Sequence, residues 1–497
     1  MICVSIGRGR HRHVIAEHKH LVEQGAQLVE LRLDYINGQI NLKRVLPDRP
    51  CPVIITIRRQ HDGGKYLGDE ESRVMLLRTA IADGVEYVDL EEDVARKIPR
   101  YGRTKRIISL HDFRKTPDNL EEIHARLAAL DADIVKISTL ANHPHDNLRM
   151  LRLVRDSKIP TVGICMGDIG TPSRLLCGRY GSPFSYATFH HERTLAPGQL
   201  SFQQMHDIYQ YEKISKSTEI YGVIGDPIAH SFSPLIQNAA FQKQGMDKVY
   251  IPFRIPREDL PSFLDDAAEL GVRGLSVTIP HKESVLKRLT KIDGAVRGVS
   301  AANTILYDAE GLSGFNTDYR AAMDSLAEAL EVKEGPEAAS YLKGKTALVL
   351  GAGGAARAVA FGLTRRGAEV ILASRTAQRA EVLAKFVGCK TVDWSARHNY
   401  LVDILVNCTP LGMHPNVDET PYERHHLKPS MLVFDTVYNP ETTLLIKDAK
   451  ARSCKVVTGV EMFIRQASLQ FKLFTGQDGP ADLMRDVLRR AIGPARA

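Results

Sequence analysis

The chain has 497 residues, of which 43% are hydrophobic, enough for about three domains of ordinary size with full cores. Its net charge is +7, but the basic residues are dispersed and not interleaved with aromatic ones, so we expect no nucleic-acid partner. No apolar run reaches membrane-spanning length, no secretory signal is evident, and the seven cysteines show no paired spacing, which together predict a cytoplasmic protein with reduced thiols and no membrane partner. Binding of small anionic ligands explains the positive bias more simply.

Eight short apolar runs come first along the chain, separated by segments long enough for crossover helices. They lie at 1–7, 28–34, 52–58, 87–91, 106–112, 133–138, 161–166 and 184–189. This alternation predicts α/β structure, and eight units are the number that closes a parallel (β/α)8 barrel. Polar residues end or interrupt these runs, which predicts that their side chains converge on one mouth of the barrel: Glu30, Arg32, Arg58, Asp89, Glu91, His111 and Lys136.

Lys136 interrupts the otherwise apolar run at 133–138. A lysine there is either a snorkelling or ion-paired side chain, or an amine that forms an imine with a ketone. Desolvation and nearby cations such as Arg32 and Arg58 would favour the uncharged amine that this chemistry needs. His111, one strand away, would then act as general acid and base near neutral pH.

Residues 1–213 resemble the type I 3-dehydroquinate dehydratases. The matching motifs are ELR at 30–32, TIR at 56–58, SLHDF at 109–113, DIVKIS at 133–138, SRLLCG at 173–178 and APGQ at 196–199. The resemblance implies that Lys136 forms a Schiff base with the ring ketone of the substrate and that His111 removes the neighbouring proton. The residues implied to bind the substrate are Arg174 for its carboxylate, Gln199 as a lid, and Arg32, Arg58 and Glu30 for its hydroxyls.

Two positions depart from the bacterial form of this pattern. The acid that orients the histidine is usually Glu, and the aligned residue here is Asp62, whose side chain is one methylene shorter. The resemblance implies that Asp62 takes this role through an inward backbone shift or a bridging water. The lid serine is replaced by Leu195, and Thr194 beside it would supply the hydroxyl.

A domain boundary is expected near residue 217, where a helix-like stretch ends in a short polar run and a new strand begins. The loops that follow carry Ser231, Ser233, Lys282, Asn303 and Asp318. The two serines precede Pro234, where a helix could start, so their hydroxyls and the helix amides would point at a carboxylate together. Ordinary N-capping by serine is the alternative.

A glycine turn at 351–355 joins a strand to a helix rich in small residues, the order that dinucleotide binding needs. A tight turn without a ligand is the alternative, but a second strand follows one βα unit later. The residues after that strand favour NADP over NAD. NAD-specific sites usually carry Asp or Glu at this position, whereas this chain has arginines that would bind the 2′-phosphate of NADP. A solvated, basic start of a helix is the alternative. The candidate cofactor residues are Gly351, Ala352, Gly353, Gly354, Ala355, Ser374, Arg375, Thr376 and Arg379.

Residues 218–497 resemble the shikimate dehydrogenases, with S-x-S at 231–233, NTD at 316–318, the glycine turn and SRT at 374–376 in family order. The resemblance implies a substrate domain at 218–330 that the C-terminal helices at 460–497 complete, and an NADP-binding Rossmann domain at 340–459. Lys282 would stabilise or protonate the carbonyl oxygen, and Asp318 would hold and tune the lysine. The other implied residues are Ser231, Ser233, Thr278, Asn303, Tyr438 and Gln466 for the substrate, and Asn407, Thr409, Gly459 and Met462 for the cofactor.

End to end, the chain resembles fused enzymes of these two activities, with Tyr319 after the NTD motif as in the plant forms. The resemblance implies dehydration of 3-dehydroquinate followed by reduction of 3-dehydroshikimate with NADPH, and no metal. The alternatives are broader quinate/shikimate use, an aldolase-like barrel fused to an oxidoreductase, or a metabolite sensor without catalysis. A metabolite sensor without catalysis would not need both His111 with Lys136 and Lys282 with Asp318. The basic cluster RGRHRH at 8–13 is expected to be a loop at the barrel mouth.

Overall fold

The computed structural model describes residues 1–332 and 340–493. The chain divides into unit 1, which comprises Met1–Ile220, Pro227–Ala229 and Asp247–Gly271, and unit 2, which comprises Tyr221–Asp226, His230–Met246 and Val272–Ala497. The last four residues of the expected C-terminal segment 460–497 lie outside the described residues. The expected boundaries of three domains stay a prediction.

Unit 1 contains a sheet of eight parallel strands, each within a couple of residues of an apolar run in the sequence. They are β1 (Ile2–Ile6), β2 (Leu28–Arg32), β3 (Val53–Thr56), β4 (Tyr87–Glu91), β5 (Lys105–Asp112), β6 (Ile134–Leu140), β7 (Thr161–Met166) and β8 (Ser185–Thr188). Their order is β7-β6-β5-β4-β3-β2-β1-β8, so β1 pairs with both β2 and β8. The predicted barrel is confirmed as a nearly closed parallel one.

Helices join most of these strands: α1 (His11–Glu23), α2 (Leu42–Val45), α3 (Glu70–Ala82), α4 (Glu92–Ala95), α5 (Leu120–Ala128), α6 (His145–Asp156) and α7 (Thr171–Leu176). The expected loop at 8–13 is only partly correct, because His11 already begins α1. Val14, His18 and Leu21 are buried at helical spacing, so this face of α1 packs into the protein.

A second, six-stranded sheet has the order β10-β9-β11-β13-β14-β12. Its strands are β9 (Glu219–Gly225), β10 (Lys248–Arg254), β11 (Val272–Val277), β12 (Lys291–Ile292), β13 (Thr304–Asp308) and β14 (Gly311–Phe315). The helices of this part of the chain are α8 (Ser233–Lys243), α9 (Leu260–Glu269), α10 (Gly294–Val299) and α11 (Thr317–Ala329).

The third sheet is parallel throughout, in the order β17-β16-β15-β18-β19-β20. Its elements are β15 (Thr346–Leu350), α12 (Gly354–Arg365), β16 (Glu369–Ala373), α13 (Ala377–Val387), β17 (Lys390–Val392), β18 (Ile404–Asn407), β19 (Leu432–Asp435), α14 (Leu444–Ala451) and β20 (Lys455–Val457), followed by α15 (Gly459–Thr475) and α16 (Ala481–Ile492). Strand order reverses at β15, the point where doubly wound sheets bind ligands. Within the described residues, no helix combines the length and the apolar character needed to cross a bilayer.

Two candidate active sites

The barrel interior is layered, because side chains on a strand point alternately to opposite faces of the sheet. An apolar layer includes Cys3, Leu28, Ile54, Ile107 and Ile134. Two positions further along the same strands come buried polar residues: Ser5, Glu30, Thr56, Ser109 and Lys136. The polar layer therefore lies nearer the carboxyl ends of the strands, where barrel enzymes carry their chemistry.

Lys136 lies at the centre of this polar layer. Its Nζ is 3.0 Å from Asp89 Oδ2, 3.4 Å from Glu30 Oε1 and 4.0 Å from the centre of the Tyr186 ring. The sequence predicted cations around this amine, but its direct partners are two carboxylates. Arg58 is nearby, and it is itself paired with Asp89 at 2.8 Å. The carboxylates stabilise any positive charge on this nitrogen, whether ammonium or iminium.

His111 contacts Arg58, with 3.1 Å between His111 Nε2 and Arg58 Nη1. A guanidinium can only donate, so Nε2 accepts and the proton of the neutral ring lies on Nδ1. Burial lowers the pKa of His111 well below its usual value, and the charges of Arg58 and Lys136 lower it further. His111 is therefore a neutral imidazole at pH 7, the form that a base requires.

Asp89 connects these residues. Its Oδ1 accepts hydrogen bonds from Arg58 and from Ser109 Oγ at 2.6 Å, while Oδ2 faces Lys136. Burial alone would raise the pKa of Asp89, but the charges of Arg58 and Lys136 outweigh it and hold the pKa well below its usual value. Asp89 is the central anion of the barrel site, and the sequence placed it at the mouth without giving it a role.

Arg174 is a buried cation without an ion pair among the described residues. Its Nη1 donates to the Tyr186 carbonyl at 3.0 Å, and its Nε has no hydrogen-bond partner there. Burial lowers the pKa of Arg174 to about 10, so the guanidinium stays charged at pH 7. A buried charge is costly unless it is compensated, and an anionic ligand would compensate this one.

The other predicted barrel residues have partners of their own. Arg32 binds both oxygens of Asp34, at 2.9 and 2.8 Å. Glu30 accepts from Ser5 Oγ at 2.6 Å and Thr56 Oγ1 at 2.9 Å. Glu30 is thus held against Lys136 rather than left open toward a ligand.

Among the described residues, neither Asp62 nor the lid turn at 194–199 is hydrogen-bonded to His111. Asp62 accepts from Arg59 Nε at 2.6 Å, and no bond from Asp62 to His111 occurs among the described residues. Gln199 Oε1 accepts from the amides of Leu195 and Ala196 at 2.8 and 3.1 Å, which closes the lid turn on itself. Thr194 is exposed. The Leu195 side chain lies against Gly7 after β1, where an added Cβ would be 2.9 Å from it.

In unit 2, Lys282 and Asp318 are brought together across 36 residues of sequence. Lys282 Nζ is 2.5 Å from Asp318 Oδ2, and Asn303 Nδ2 donates to Asp318 Oδ1 at 2.9 Å. Asn303 Oδ1 accepts the Thr317 amide at 2.8 Å and so ties β13 to the start of α11. The carboxylate is thereby oriented toward the lysine, an arrangement suited to proton donation.

The predicted substrate residues belong to several elements of unit 2. Ser233 opens α8, and Ser231 Oγ accepts its amide at 3.3 Å, but the N-cap residue is Phe232 and no side chain caps the helix. Thr278 directly follows β11. Tyr438 stacks on Phe463 at 4.2 Å between ring centres, and burial raises its pKa to about 12. Gln466 Nε2 donates to the Phe463 carbonyl at 3.0 Å.

The glycine turn brings the cofactor region next to Lys282. Gly351 has a φ of +114°, which favours glycine, and Gly353 has no atom within 4 Å of where a Cβ would lie. At Gly354 a Cβ would be 3.0 Å from Lys282 Cδ. Ala352 and Ala355 flank these glycines. Open space at the amino end of α12 fits a pyrophosphate.

The residues after β16 fit a second phosphate. Ser374 Oγ accepts the Thr376 amide at 3.2 Å. Arg375, Thr376 and Arg379 are exposed, and neither arginine has a carboxylate partner among the described residues. Two free guanidinium groups beside a hydroxyl are what the 2′-phosphate of NADP needs.

A buried network joins the ends of β18 and β19. Asn407 Nδ2 donates to Asp435 Oδ1 at 3.0 Å, and Thr409 Oγ1 donates to Asn407 Oδ1 at 2.7 Å. Burial raises the pKa of Asp435 to about 6. Gly459 leaves no room for a Cβ, which would lie 2.2 Å from the Val437 carbonyl, and Met462 is buried.

Sequence reasoning missed three residues of these sites: Tyr186, Asp34 and Asp435. Asp435 ends the apolar run LVFD, and a polar residue at the end of a parallel strand was the usable signal. Asp34 follows Arg32 by two positions, but nothing in the sequence indicates that they pair.

Comparison with known families matches three parts of the chain. Residues 2–216 match type I 3-dehydroquinase, residues 223–305 match the shikimate dehydrogenase substrate-binding domain, and residues 459–489 match the shikimate 5′-dehydrogenase C-terminal domain. The first match includes Lys136 and His111. The second includes Lys282 and Asn303.

Individual relatives agree with these matches. A chloroplastic bifunctional 3-dehydroquinate dehydratase/shikimate dehydrogenase of Arabidopsis thaliana is 36% identical over 510 residues, covering 99% of this chain and 84% of the relative. A solved shikimate dehydrogenase in complex with NADP+ is 36% identical, covers 56% of this chain and 97% of its own, and has a TM-score of 0.52. A quinate dehydrogenase of Corynebacterium glutamicum in complex with NAD is 31% identical, covers 55% and 99%, and has a TM-score of 0.50.

Proposed function

The chain belongs to the family of bifunctional 3-dehydroquinate dehydratases/shikimate dehydrogenases, and from this premise we propose how its two sites act. Unit 1 dehydrates 3-dehydroquinate to 3-dehydroshikimate, and unit 2 reduces 3-dehydroshikimate to shikimate with NADPH. The observation that carries the proposal is that each unit holds its own oriented lysine, Lys136 against Asp89 and Glu30, and Lys282 against Asp318.

In the barrel, Lys136 attacks the ring ketone and the carbonyl oxygen leaves as water, which forms an iminium. Asp89 and Glu30 stabilise its positive charge in a site that excludes solvent. The neutral His111 removes the adjacent proton, and the electron pair moves into the iminium. The substrate hydroxyl then leaves as water with a proton from His111, and hydrolysis of the imine frees Lys136.

His111 Nε2 accepts a hydrogen bond from Arg58 at 3.1 Å, so its lone pair can remove a proton only after the guanidinium moves. A substrate hydroxyl that binds Arg58 would release it. Arg174, the buried cation without a carboxylate partner, is the binding group for the substrate carboxylate. Arg32 would bind the substrate hydroxyls, Gln199 would close over the ring, and Thr194 would supply the lid hydroxyl. Asp62 would orient His111 through an inward shift of its backbone or a bridging water.

In the dehydrogenase site, Lys282 donates a proton to the carbonyl oxygen of the substrate, and Asp318 orients the lysine. NADPH supplies the hydride when it is bound. Gly351, Gly353 and the amino end of α12 would hold the pyrophosphate. Ser374, Arg375, Thr376 and Arg379 would hold the 2′-phosphate.

The remaining roles follow from position. We propose that Ser231 and Ser233 bind the carboxylate of dehydroshikimate and that its hydroxyls and ring contact Thr278, Asn303, Tyr438 and Gln466. Asn407, Thr409, Gly459 and Met462 would line the nicotinamide side. We further propose domains at 1–213, at 218–330 with 460–497, and at 340–459. We also propose a cytoplasmic location, which seven free cysteines support. Neither nucleic acid nor a membrane would be a partner.

The test combines both reactions in one cuvette. Dehydroquinate with NADPH should yield shikimate, and Lys136→Met should stop NADPH oxidation until dehydroshikimate is added. Borohydride with dehydroquinate should add a covalent product to the Lys136 peptide. An unmodified Lys136 peptide in an active enzyme would refute the imine.

Quinate is a second candidate substrate of unit 2, favoured by the likeness to the quinate dehydrogenase of Corynebacterium glutamicum. Quinate carries an extra hydroxyl beside its carboxylate, and the hydroxyls of Ser231 and Ser233 would lie close to it. We expect shikimate to be oxidised faster than quinate with NADP+. Equal kcat/KM values for shikimate and quinate would show that unit 2 is a quinate/shikimate dehydrogenase of broader specificity.

A further inference from the structure

A cluster of imidazoles lies at the edge of the third sheet opposite the cofactor turn. His398 belongs to a short helical turn, Trp394–Asn399, that precedes β18. His425 and His426 belong to a second turn, Arg424–His426, that precedes β19, and Glu423 directly precedes this turn. Both turns are at the amino ends of their strands, whereas the glycine turn follows the carboxyl end of β15. The cluster therefore takes no part in the reduction.

Three of these residues have potential metal-ligand atoms close to one another. One ligand atom each from Glu423, His425 and His426 lies within 4.8 Å of the other two. His425 Nδ1 is 3.5 Å from Glu423 Oε2. Zinc bonds of 2.0–2.1 Å in a tetrahedral site would set ligand atoms about 3.3 Å apart, so side-chain rotations alone could close the site.

His398 provides the independent observation. Its ring stacks on His426 at 4.3 Å between centres and 12° between planes, and both of its nitrogens are buried without a hydrogen-bond partner among the described residues. Its unpartnered nitrogens are costly unless a ligand or its bound water contacts them.

The surroundings hold the cluster in place. Arg397 stacks on Trp394 at 4.4 Å and donates to the Pro421 carbonyl at 2.8 Å, which turns its charge toward these partners. The Tyr422 ring packs against His398 at a tilt of 55°, with 4.5 Å between ring centres. The two turns are thereby fixed to each other, and the ligand residues need little reordering.

We propose that Glu423, His425 and His426 form a binding site for a divalent transition-metal cation of the Zn²⁺ type, with His398 as its inner wall. Two imidazole nitrogens and one carboxylate select Zn²⁺, Co²⁺ or Ni²⁺ over Mg²⁺ and Ca²⁺, which prefer oxygen ligands. Binding would fasten the turn before β18 to the turn before β19 and stabilise unit 2. This proposal does not depend on either catalytic activity.

Trp394 fluorescence can report metal binding, because Trp394 is the single tryptophan of the chain and lies four residues before His398. In the metal-stripped full chain, Co²⁺ should quench Trp394 fluorescence and saturate at one equivalent. Zn²⁺ should reverse the quenching and raise the unfolding temperature, and Mg²⁺ should do neither. Non-saturable quenching, or an equal effect of Mg²⁺, would overturn the proposal.

Variants locate the site. His425→Ala and Glu423→Gln should each weaken Co²⁺ binding roughly tenfold or more. Both side chains are more than half exposed, so the variants should fold, and retained reductase activity checks this. The matched control is His206→Ala, which removes a histidine that also lies 3.5 Å from a glutamate, Glu212, but has no second imidazole in its pair. If His206→Ala weakens Co²⁺ binding as much as His425→Ala, the assignment is wrong.

Discussion

The dehydratase and dehydrogenase sites each centre on a lysine, but they compensate its charge differently. In the barrel, the side chains of Lys136, Arg58 and Asp89 are at most 4% exposed, and each charge contacts another. In unit 2, Lys282 and Asp318 are 17% and 9% exposed, and the lysine pairs with one carboxylate. Buried charges depend on each other, because removal of one leaves its partner uncompensated. Activity and stability should therefore be coupled in the barrel and separable in unit 2.

The largest expected effect is that of Lys136→Met. Dehydratase activity should fall on the order of 10⁴-fold or more, because the imine can no longer form. The calorimetric stability of unit 1 should also fall, by about 3 kcal/mol, because Asp89 and Glu30 lose a buried cation.

Lys282→Met is the matched variant in unit 2. Reductase activity should fall about 10²- to 10⁴-fold, while the free energy of unfolding should change by less than about 1 kcal/mol, because the pair is partly exposed. If both variants lost the same stability, the distinction between the two sites would be wrong.

Arg174→Met separates activity from stability within the barrel. The KM for dehydroquinate should rise on the order of 100-fold, because about 3 kcal/mol of carboxylate binding is lost. Unlike Lys136→Met, this variant should be at least as stable as the wild type, because it removes a buried cation that has no carboxylate partner. Steady-state kinetics and calorimetry on the same preparation check both points. A large loss of stability would show that Arg174 is structural.

The fold was largely predictable from the sequence, for reasons that particular residues make clear. The strand boundaries followed the apolar runs, because a buried parallel strand needs a continuous apolar sequence. The layer that holds Glu30 and Lys136 follows from alternation along each strand. The motifs shared with the two families identified Lys136 and Lys282 as catalytic residues.

The charge pairing was not predictable, because it depends on side-chain directions across different strands. The sequence suggested cations around Lys136, but Arg58 turns to Asp89 and Arg32 turns to Asp34. Asp62 was expected at His111, and instead it contacts Arg59 at 2.6 Å. The histidine cluster gave only a weak signal, because His398 and His426 meet across 28 residues of sequence.

Arg375→Gln and Arg379→Gln test the exposed, unpaired charges of unit 2. Each should raise the KM for NADPH roughly tenfold and leave the KM for NADH unchanged, because only NADPH carries the 2′-phosphate. Stability should not change, in contrast to the barrel variants. Arg320→Gln, at another exposed arginine, is the control. An equal rise of both KM values would exclude recognition of the 2′-phosphate.

The smallest expected effect concerns the two buried carboxylates, which the two units treat in opposite ways. The pKa of Asp89 is held well below its usual 3.8 by cations, so its contribution to stability is present above pH 3.8 and is lost as the pH falls. The pKa of Asp435 is raised from 3.8 to about 6 by burial, so its contribution is present below pH 3.8 and is lost as the pH rises through 6. Among the described residues, the hydrogen bonds that Asp435 accepts come from neutral donors, including Thr443 Oγ1 at 2.6 Å.

Asp435→Asn should therefore stabilise unit 2 above pH 6 by about 1 to 2 kcal/mol, because an amide carries no charge to bury, and the gain should vanish near pH 4. Urea unfolding followed by Trp394 fluorescence between pH 4 and pH 8 measures this difference. Asp89→Asn should have the opposite sign in unit 1, with a loss of stability that is constant from pH 8 to pH 4 and shrinks only below pH 3.8. If Asp435→Asn destabilised unit 2 at pH 8, the carboxylate would be compensated by its hydrogen bonds, and the two units would treat buried acids alike.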